Sequence, residues 1–331
     1  MAKEQYQDIY KRGGHIIPGI RECESRYVEI KKQLIGFKRT FSVVDIGANL
    51  GYFSFRIAED FPNATCVLIE KAYGNELKKL ALENGFNNII VLKHKVDTKD
   101  LNLLAQCEHF DIVLALNIIH HIGDVDNCLS AIEQIGEKII IETPAPNDKG
   151  ACGQKNLQLI FDRIQSNYTH IGSFTRHTSS AKSLMGVKQN KKEKLMKKYW
   201  DCPKKGSKGI SHIALEVDNS VKTYIKRRNK LEEKRKWIEG INLRTYQYLN
   251  GVFPLRTILA QSILTNPEIK NHNDVSPWNM IVNGDRITLI DNNDPRQGTK
   301  KGQPNLKAQM IANEIINEQI NPVETYVQDY L

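Results

Sequence analysis

Two acidic residues and two glycines at fixed spacing point to a nucleotide-like ligand. Asp45 lies near the end of the apolar run Phe41 to Ile46, and Gly47 and Gly51 follow it closely. Glycine lets a backbone turn sharply and approach a ligand, and the N–H groups at the start of a following helix attract negative or polar groups. Glu70 ends the next apolar run, 25 residues after Asp45. A carboxylate at about this interval can accept both hydroxyls of a ribose.

The turn differs from the dinucleotide-binding pattern G-x-G-x-x-G, because its acid stands at the strand end. The pattern D-x-G-x-N-x-G resembles motif I of the class I S-adenosylmethionine (SAM) methyltransferases, D/E-x-G-x-x-x-G. The resemblance implies that SAM binds at Asp45, Gly47, Asn49 and Gly51, with Asp45 organising the ammonium end, and that Glu70 binds the ribose. An ordinary strand-to-helix glycine turn is the alternative for this stretch taken alone.

The same resemblance assigns residues after the third and fourth strands. In this family a small acidic or amide residue after the third strand often meets the adenine, which makes Asp97 and its neighbour Val96 candidates. Asn117, at the end of the fourth apolar run, would close the cofactor pocket. His120 or His121 would orient or deprotonate an acceptor hydroxyl. The alternative for paired histidines at a strand–helix junction is a cap or a packed core residue.

Strand-like and helix-like stretches alternate from residue 20 to residue 190. We therefore expect an α/β fold, a doubly wound Rossmann-like sheet of seven strands with ligands at the carboxyl ends of the strands. Its last strand would run antiparallel, as in class I methyltransferases. Residues 1–19 are polar and contain Gly13-Gly14, so they predict a flexible arm. Arg21 and Arg26, on the first predicted helix, are expected at the surface or over the cofactor pocket.

A second set of residues that could do chemistry lies near the C-terminus. His272-Asn-Asp274 is followed by Asn279 and, after a hairpin predicted around Asn283-Gly284, by Asp291. This spacing resembles the catalytic loop of kinase-like and aminoglycoside-phosphotransferase-like enzymes. The whole layout resembles bifunctional methyltransferase–kinases that cap polysaccharide chains. The resemblance implies that Asp274 accepts a proton from an acceptor hydroxyl, and that Asn279 and Asp291 bind the magnesium of Mg-ATP.

The rest of a kinase is hard to find, since no G-x-G-x-x-G loop and no clear V-A-I-K strand accompany these residues. A working minimal kinase, a degenerate lobe kept as a scaffold or acceptor-binding module, and coincidence remain open. Residues 191–209 predict a lysine-rich linker, and residues 210–331 a smaller α+β region resembling a kinase C-lobe. Within it, residues 221–249 predict a long charged helical region broken near Gly240.

Composition limits the classes of partner and compartment. The chain has 331 residues and a net charge of +9, and the segment 182–208 alone contributes +8. Such a segment is either a solvated surface or a site for an anionic partner. The six scattered cysteines form no C-x-x-C pair, which favours reduced thiols and disfavours zinc. No apolar run of membrane-span length and no signal-peptide core are evident, so a cytoplasmic location is expected.

The sequence thus predicts a SAM-dependent methyltransferase that acts on an unidentified acceptor, with a phosphorylated glycan or another anionic molecule as the candidate class. Nucleic acid is a further anionic candidate that no motif supports. One alternative is a phosphotransferase that uses Mg-ATP, alone or alongside methylation. Another is a non-catalytic module that holds an anionic polymer through its lysines.

Overall fold

The computed structural model describes residues 5–148, 154–176, 179–190, 195–198, 212–217, 222–228, 231–249, 255–270, 280–290 and 306–317. The described elements follow one another in the order β1 (Ile9–Lys11), β2 (His15–Ile17), α1 (Glu24–Leu34), β3 (Phe41–Ile46), α2 (Tyr52–Asp60), β4 (Ala64–Ile69), α3 (Gly74–Asn84), β5 (Ile89–Leu92), α4 (Thr98–Cys107), β6 (Phe110–Leu116), a 3-10 helix (Ile119–His121), α5 (Val125–Ile135), β7 (Gly136–Thr143), α6 (Gln154–Asn167), β8 (Thr169–Arg176), β9 (Ser179–Gln189), β10 (Leu195–Lys198), β11 (His212–Val217), β12 (Lys222–Arg228), β13 (Leu231–Lys236), β14 (Ile241–Asn242), α7 (Leu243–Tyr248), α8 (Leu255–Thr265), α9 (Pro267–Lys270), β15 (Met280–Asn283), β16 (Arg286–Leu289) and α10 (Leu306–Asn317).

Seven strands form the central sheet, in the order β5-β4-β3-β6-β7-β9-β8. The first five of these are parallel, whereas β9 runs antiparallel to both β7 and β8. Because β4 and β6 lie on opposite sides of β3, the carboxyl end of β3 is the point where the strand order reverses, and ligands bind at such points in open α/β sheets. The structure confirms the predicted α/β fold with a doubly wound sheet of seven strands.

The sheet is buried on both faces, which explains why its strands are continuous apolar runs. Successive residues of β3 alternate between the two sides: Val43 joins the core cluster that contains Ile57 of α2, and Val44 the cluster that contains Leu104 of α4. Each such side chain contributes roughly 1.5–3 kcal/mol when it leaves water. This packing holds the carboxyl ends of β3, β4 and β6 in fixed positions at one edge of the sheet.

The N-terminal segment differs from the flexible arm that was predicted. Its described part contains a hairpin of β1 and β2, and Tyr10 in β1 is 3% exposed. The Tyr10 hydroxyl donates to Glu59 of α2, and the Arg12 N–H donates to Asn84 Oδ1 of α3 over 2.6 Å. The glycines at 13 and 14, with φ of 88° and 83°, make the hairpin turn. The two glycines had suggested a flexible arm. That prediction failed because the residues that hold the hairpin in place lie far along the chain.

The prediction of a long helix over residues 221–249 is wrong. Strands β10 to β13 form a four-stranded antiparallel sheet instead, and the described helix in this range is α7, only six residues long. β10 also lies within the predicted linker at 191–209. Thr223, Tyr224 and Ile225 belong to residue types that favour strands, and pairing with β11 supplies their backbone partners. The dense charges of this segment had suggested a solvated helix.

The predicted C-terminal hairpin is present, as strands β15 and β16. Its two-residue turn is Gly284-Asp285, one position later than predicted, and Gly284 has a φ of 58°. The turn lies against the loop between α3 and β5, where the Asp285 N–H donates to the carbonyl of Asn87 over 3.2 Å. Met280 and Val282 join the same core cluster as Val44. The three predicted phosphotransferase residues, Asp274, Asn279 and Asp291, lie outside the described residues.

None of the helices that the structure describes is both long and apolar enough to cross a membrane.

Candidate functional site

The turn after β3 requires left-handed backbone at three positions. Gly47, Asn49 and Gly51 have φ of 78°, 55° and 77°. A side chain at Gly47 would place its Cβ 2.8 Å from Ile118, and one at Gly51 would lie 2.7 Å from Leu77. Glycine is therefore needed at both positions for conformation and for space. The turn is anchored to β4, since the Gly47 N–H donates to the Ile69 carbonyl over 2.9 Å.

Glu70 is held beside this turn by backbone amides. Its Oε2 accepts the N–H of Asn49 over 2.9 Å, and its Oε1 accepts the N–H of Ala72 over 2.6 Å and of Tyr73 over 3.3 Å. A carboxylate has about four lone-pair sites, and these three N–H groups occupy three of them. Glu70 is thus fixed in direction and keeps acceptor capacity on Oε2.

A cavity of about 380 Å³ lies at the carboxyl ends of the strands and includes both the turn and Glu70. Its wall contains Gly47, Ile69, Glu70, Lys71, Ala72, His94, Lys95, Val96, Ile118, His121 and Ile122. A mostly apolar wall with a few convergent polar groups is typical of small-molecule sites. The size and lining suit an adenosine-like ligand.

Asp45 lies beneath the turn and is not part of the cavity wall. It is 2% exposed, and its Oδ2 accepts the Ser54 hydroxyl over 2.8 Å, which joins β3 to α2. Burial raises the pKa of Asp45 to about 7; the Ser54 hydrogen bond lowers this pKa, and the charge of Glu70 raises it.

The start of α2 is covered by the N-terminal segment. The Gln7 side chain, 3% exposed, accepts the N–H of Leu50 over 3.0 Å and of Tyr52 over 3.4 Å through Oε1. The sequence had suggested that these amides attract a ligand, whereas in the structure a side-chain amide oxygen satisfies them. Gln7 lies in a polar segment 43 residues before Leu50, so no local pattern indicated it.

The predicted adenine residue, Asp97, is exposed and begins α4. It forms a capping box with Asp100, in which each side chain accepts the other's backbone N–H, over 2.9 and 3.0 Å. The cavity wall after β5 is formed by His94, Lys95 and the other candidate, Val96. His94 was not singled out in the sequence. Its Nε2 lies 3.0 Å from Asp100 Oδ2, so a buried carboxylate orients its ring.

The residues after β6 divide between the cavity and the interior. Asn117 has a φ of 59°, and its N–H donates to the carbonyl of Glu142 over 2.7 Å. His121 is exposed and lies on the cavity wall, while His120 is buried behind it. The two imidazole rings have their centroids 4.1 Å apart. The structure therefore brings Gly47, Glu70 and His121 together in one wall.

Arg21 and Arg26 are neither surface residues nor part of the cavity wall. Both are buried and pair with Glu142 at the end of β7; the Arg26 Nε lies 3.0 Å from Glu142 Oε1, and Arg21 binds Oε2. The Ser183 hydroxyl also donates to this carboxylate, over 2.5 Å. Burial raises the pKa of Glu142, but the two guanidinium groups and Ser183 outweigh it and hold this pKa below its usual value. This ion-pair cluster is structural.

One group of metal-ligand types occurs among the described residues. His109, Asp111 and Glu137 have ligand atoms within 4.8 Å of one another, at the amino-terminal ends of β6 and β7. Arg39 Nη2 already donates to Asp111 over 2.6 Å, and the Ser42 N–H donates to it over 2.8 Å. A guanidinium therefore takes the place of a metal cation at this carboxylate, and we assign no metal here.

No family model and no curated protein matches the chain. Among solved structures, the chain is similar to the bifunctional kinase-methyltransferase WbdD, with 15% identity and a TM-score of 0.46 over 93% of each chain. It is also similar to a SAM dependent methyltransferase from Aquifex aeolicus, with 12% identity and a TM-score of 0.37 over 49% of this chain and 88% of that one. The N-terminal domain of EvdMO1, solved with S-adenosylhomocysteine (SAH) bound, has 12% identity and a TM-score of 0.39, over 52% of this chain and 82% of that one. Likenesses this distant say nothing about activity.

Proposed function

We propose that this protein is a SAM-dependent methyltransferase. The observation that carries the proposal is Glu70, which the Asn49 N–H of the glycine turn and the Ala72 N–H hold at the edge of the 380 Å³ cavity. A nicotinamide dinucleotide would need a third glycine and an amide cradle for its pyrophosphate. The turn offers neither, since Gln7 covers the helix start. A nucleoside without a pyrophosphate suits this arrangement better.

In the proposed complex the chain's own residues bind and align. Glu70 would accept the ribose hydroxyls, the missing Cβ of Gly47 would let the ligand approach the backbone, and Val96 and Ile118 would supply apolar contacts to the base. SAM itself supplies an activated methyl group on a sulfonium, so alignment of the acceptor is the main task of the protein. His121 lies on the same wall and is the candidate to orient the acceptor hydroxyl or accept its proton.

The proposed acceptor is anionic. The segment 182–208 contributes +8 of the total charge of +9, and such a concentration of lysine raises the local concentration of anions. We expect the apparent KM for a phosphorylated or polyanionic acceptor to rise steeply with salt, because exposed charges are screened within about 8–10 Å at physiological ionic strength. An apparent KM that does not change between low and physiological salt would contradict this acceptor class.

Calorimetric titration of SAH and of Mg-ATP into the same preparation tests the proposed function. We expect SAH to bind at one site per chain, and transfer of a labelled methyl group from SAM to follow once an acceptor is supplied. Absence of SAH binding to a folded preparation would contradict the proposal.

A phosphotransferase activity is the second candidate, and the C-terminal hairpin favours it. Met280 pairs with Leu289, so the open end of the hairpin adjoins in sequence both Asn279 and Asp291. A metal site built from these two residues needs such a return of the chain. We expect Mg-ATP binding that Asp291→Asn abolishes while SAH binding remains. If Mg-ATP does not bind the wild-type chain, this candidate is wrong and the methyltransferase proposal is unaffected.

A further inference from the structure

We infer that Tyr248, in the C-terminal part of the chain, is a positioning residue for the cofactor site and acts through Asp100 on His94. The inference rests on the proposed function, because it concerns the wall of the same cavity. It assigns to the C-terminal part an indirect share in cofactor affinity.

Helix α7 is fixed against α4 at its first turn. Asn242 caps α7 by accepting the Arg244 N–H over 2.9 Å, and its own N–H donates to Glu108 Oε1 over 3.1 Å. The Thr245 hydroxyl donates to the same oxygen. Glu108 directly follows α4 and is 2% exposed. These buried contacts at one end of α7 determine where Tyr248, at its other end, must lie.

Tyr248 reaches the carboxylate that begins α4. Its hydroxyl donates to Asp100 Oδ1 over 3.0 Å, while Asp100 Oδ2 accepts the Asp97 N–H and lies 3.0 Å from His94 Nε2. Burial raises the pKa of Asp100, but its hydrogen bonds with His94, Asp97 and Tyr248 outweigh burial and hold this pKa below its usual value. Burial and the Asp100 charge raise the pKa of Tyr248, so its hydroxyl stays protonated and donates.

The ionised Asp100 fixes the orientation of the His94 ring. An ionised carboxylate only accepts hydrogen bonds, so Nε2 carries a proton and donates it to Asp100. The rings of His94 and Tyr248 have centroids 6.0 Å apart, and His94 lies on the cavity wall beside Val96 and Glu70. The Tyr248 hydroxyl thus acts indirectly, through Asp100, on the wall where the base of the cofactor is proposed to bind. Outer hydrogen-bond partners orient metal-binding histidines in the same way.

The test is the dissociation constant of SAH for the full-length wild type, Tyr248→Phe, His94→Ala and the double variant, measured by calorimetry. Loss of one hydrogen bond that positions His94 should weaken SAH binding about three- to tenfold in Tyr248→Phe. In the His94→Ala background the same change should have no further effect, because the residue through which Tyr248 acts is gone. A purely structural role for Tyr248 would not produce this non-additivity.

Tyr168→Phe is the matched control. The Tyr168 hydroxyl also donates to a carboxylate, Glu133 Oε1 over 2.9 Å, and Tyr168 is buried, but it does not lie on the cavity wall. We expect both single Tyr→Phe variants to lower the melting temperature by similar amounts, and only Tyr248→Phe to weaken SAH.

Three results would overturn the inference. These are unchanged SAH affinity in Tyr248→Phe, equal weakening in Tyr168→Phe, and a full effect of Tyr248→Phe in the His94→Ala background. Each leaves the proposed function standing, provided that the wild type binds SAH. Failure of the wild type to bind SAH would instead contradict the proposed function itself.

Discussion

Glu70 and Glu142 end two parallel strands of the same sheet, and their surroundings differ completely. Glu142 has a fully buried side chain, and two guanidinium groups and the Ser183 hydroxyl bind it. Glu70 is bound by backbone N–H groups and lies on the wall of a cavity. An acid at a strand end is therefore not by itself a ligand site. The deciding factor is whether other parts of the chain bring cations to the acid, as Arg21, just before α1, and Arg26, on α1, do for Glu142.

Replacing Glu142 should have the largest effect. We expect Glu142→Gln to lower the free energy of unfolding by about 3–5 kcal/mol, since it leaves two buried guanidinium groups without their counterion. Glu70→Gln, the matched change at the other strand end, should cost under about 1 kcal/mol in the same urea titration. Equal losses in the two variants would remove the distinction between a structural and a binding carboxylate.

The lowered pKa of Glu142 also gives a sign for the pH dependence. The folded-state pKa lies below the unfolded value, so this group's contribution to stability is present above its usual pKa and is lost as pH falls through the folded value.

Asp45 sharpens the comparison because it is buried and accepts a serine hydroxyl, as Glu142 does, but the charge that acts on it is the negative one of Glu70. Its folded-state pKa of about 7 lies above the unfolded value, so the folded chain holds a proton that the unfolded chain releases. Its contribution to stability must fall as pH rises from about 4 to about 7. We expect the free energy of unfolding of Asp45→Asn, relative to that of the wild type, to rise by on the order of 1–4 kcal/mol between pH 5 and pH 8 in ligand-free urea titrations. A constant difference across this range would show that Asp45 is ionised throughout.

Gly47→Ala should have a smaller effect on stability than Glu142→Gln. The left-handed backbone at Gly47 costs an alanine about 1–2 kcal/mol, and the added Cβ would lie 2.8 Å from the Ile118 side chain on the cavity wall. We expect Gly85→Ala, at a left-handed position with open space around it, to cost a similar amount of stability. Only Gly47→Ala should weaken SAH binding. Equal SAH affinity in the two variants would place the ligand away from the turn.

The parts of the site that are built from residues close together in the sequence were predictable. The turn at 47–51 and Glu70 follow directly from strand ends, and a parallel sheet brings strand ends to one edge. The partners that complete the site were not predictable. Gln7 lies 43 residues from Leu50, and Tyr248 lies 148 residues from Asp100.

The same limit explains the errors in the fold. The predicted long helix at 221–249 failed because β12 is stabilised by pairing with β11 and β13, which a local helical pattern cannot reveal. The predicted loose arm failed because the fixing partners of the N-terminal hairpin, Glu59 and Asn84, lie in α2 and α3. Local chemistry was predictable, and the docking of distant segments was not.

The affinity of SAH for wild type, Glu70→Ala and Glu76→Ala tests the central claim most directly. Glu76 is exposed on α3 and outside the cavity wall, so its replacement makes the same change of charge without touching the site. We predict that Glu70→Ala weakens SAH binding by about 1–3 kcal/mol, or about five- to 150-fold, because the ribose hydroxyls lose their acceptor, and that Glu76→Ala matches the wild type. Wild-type affinity in Glu70→Ala would contradict the assignment of this cavity to the cofactor.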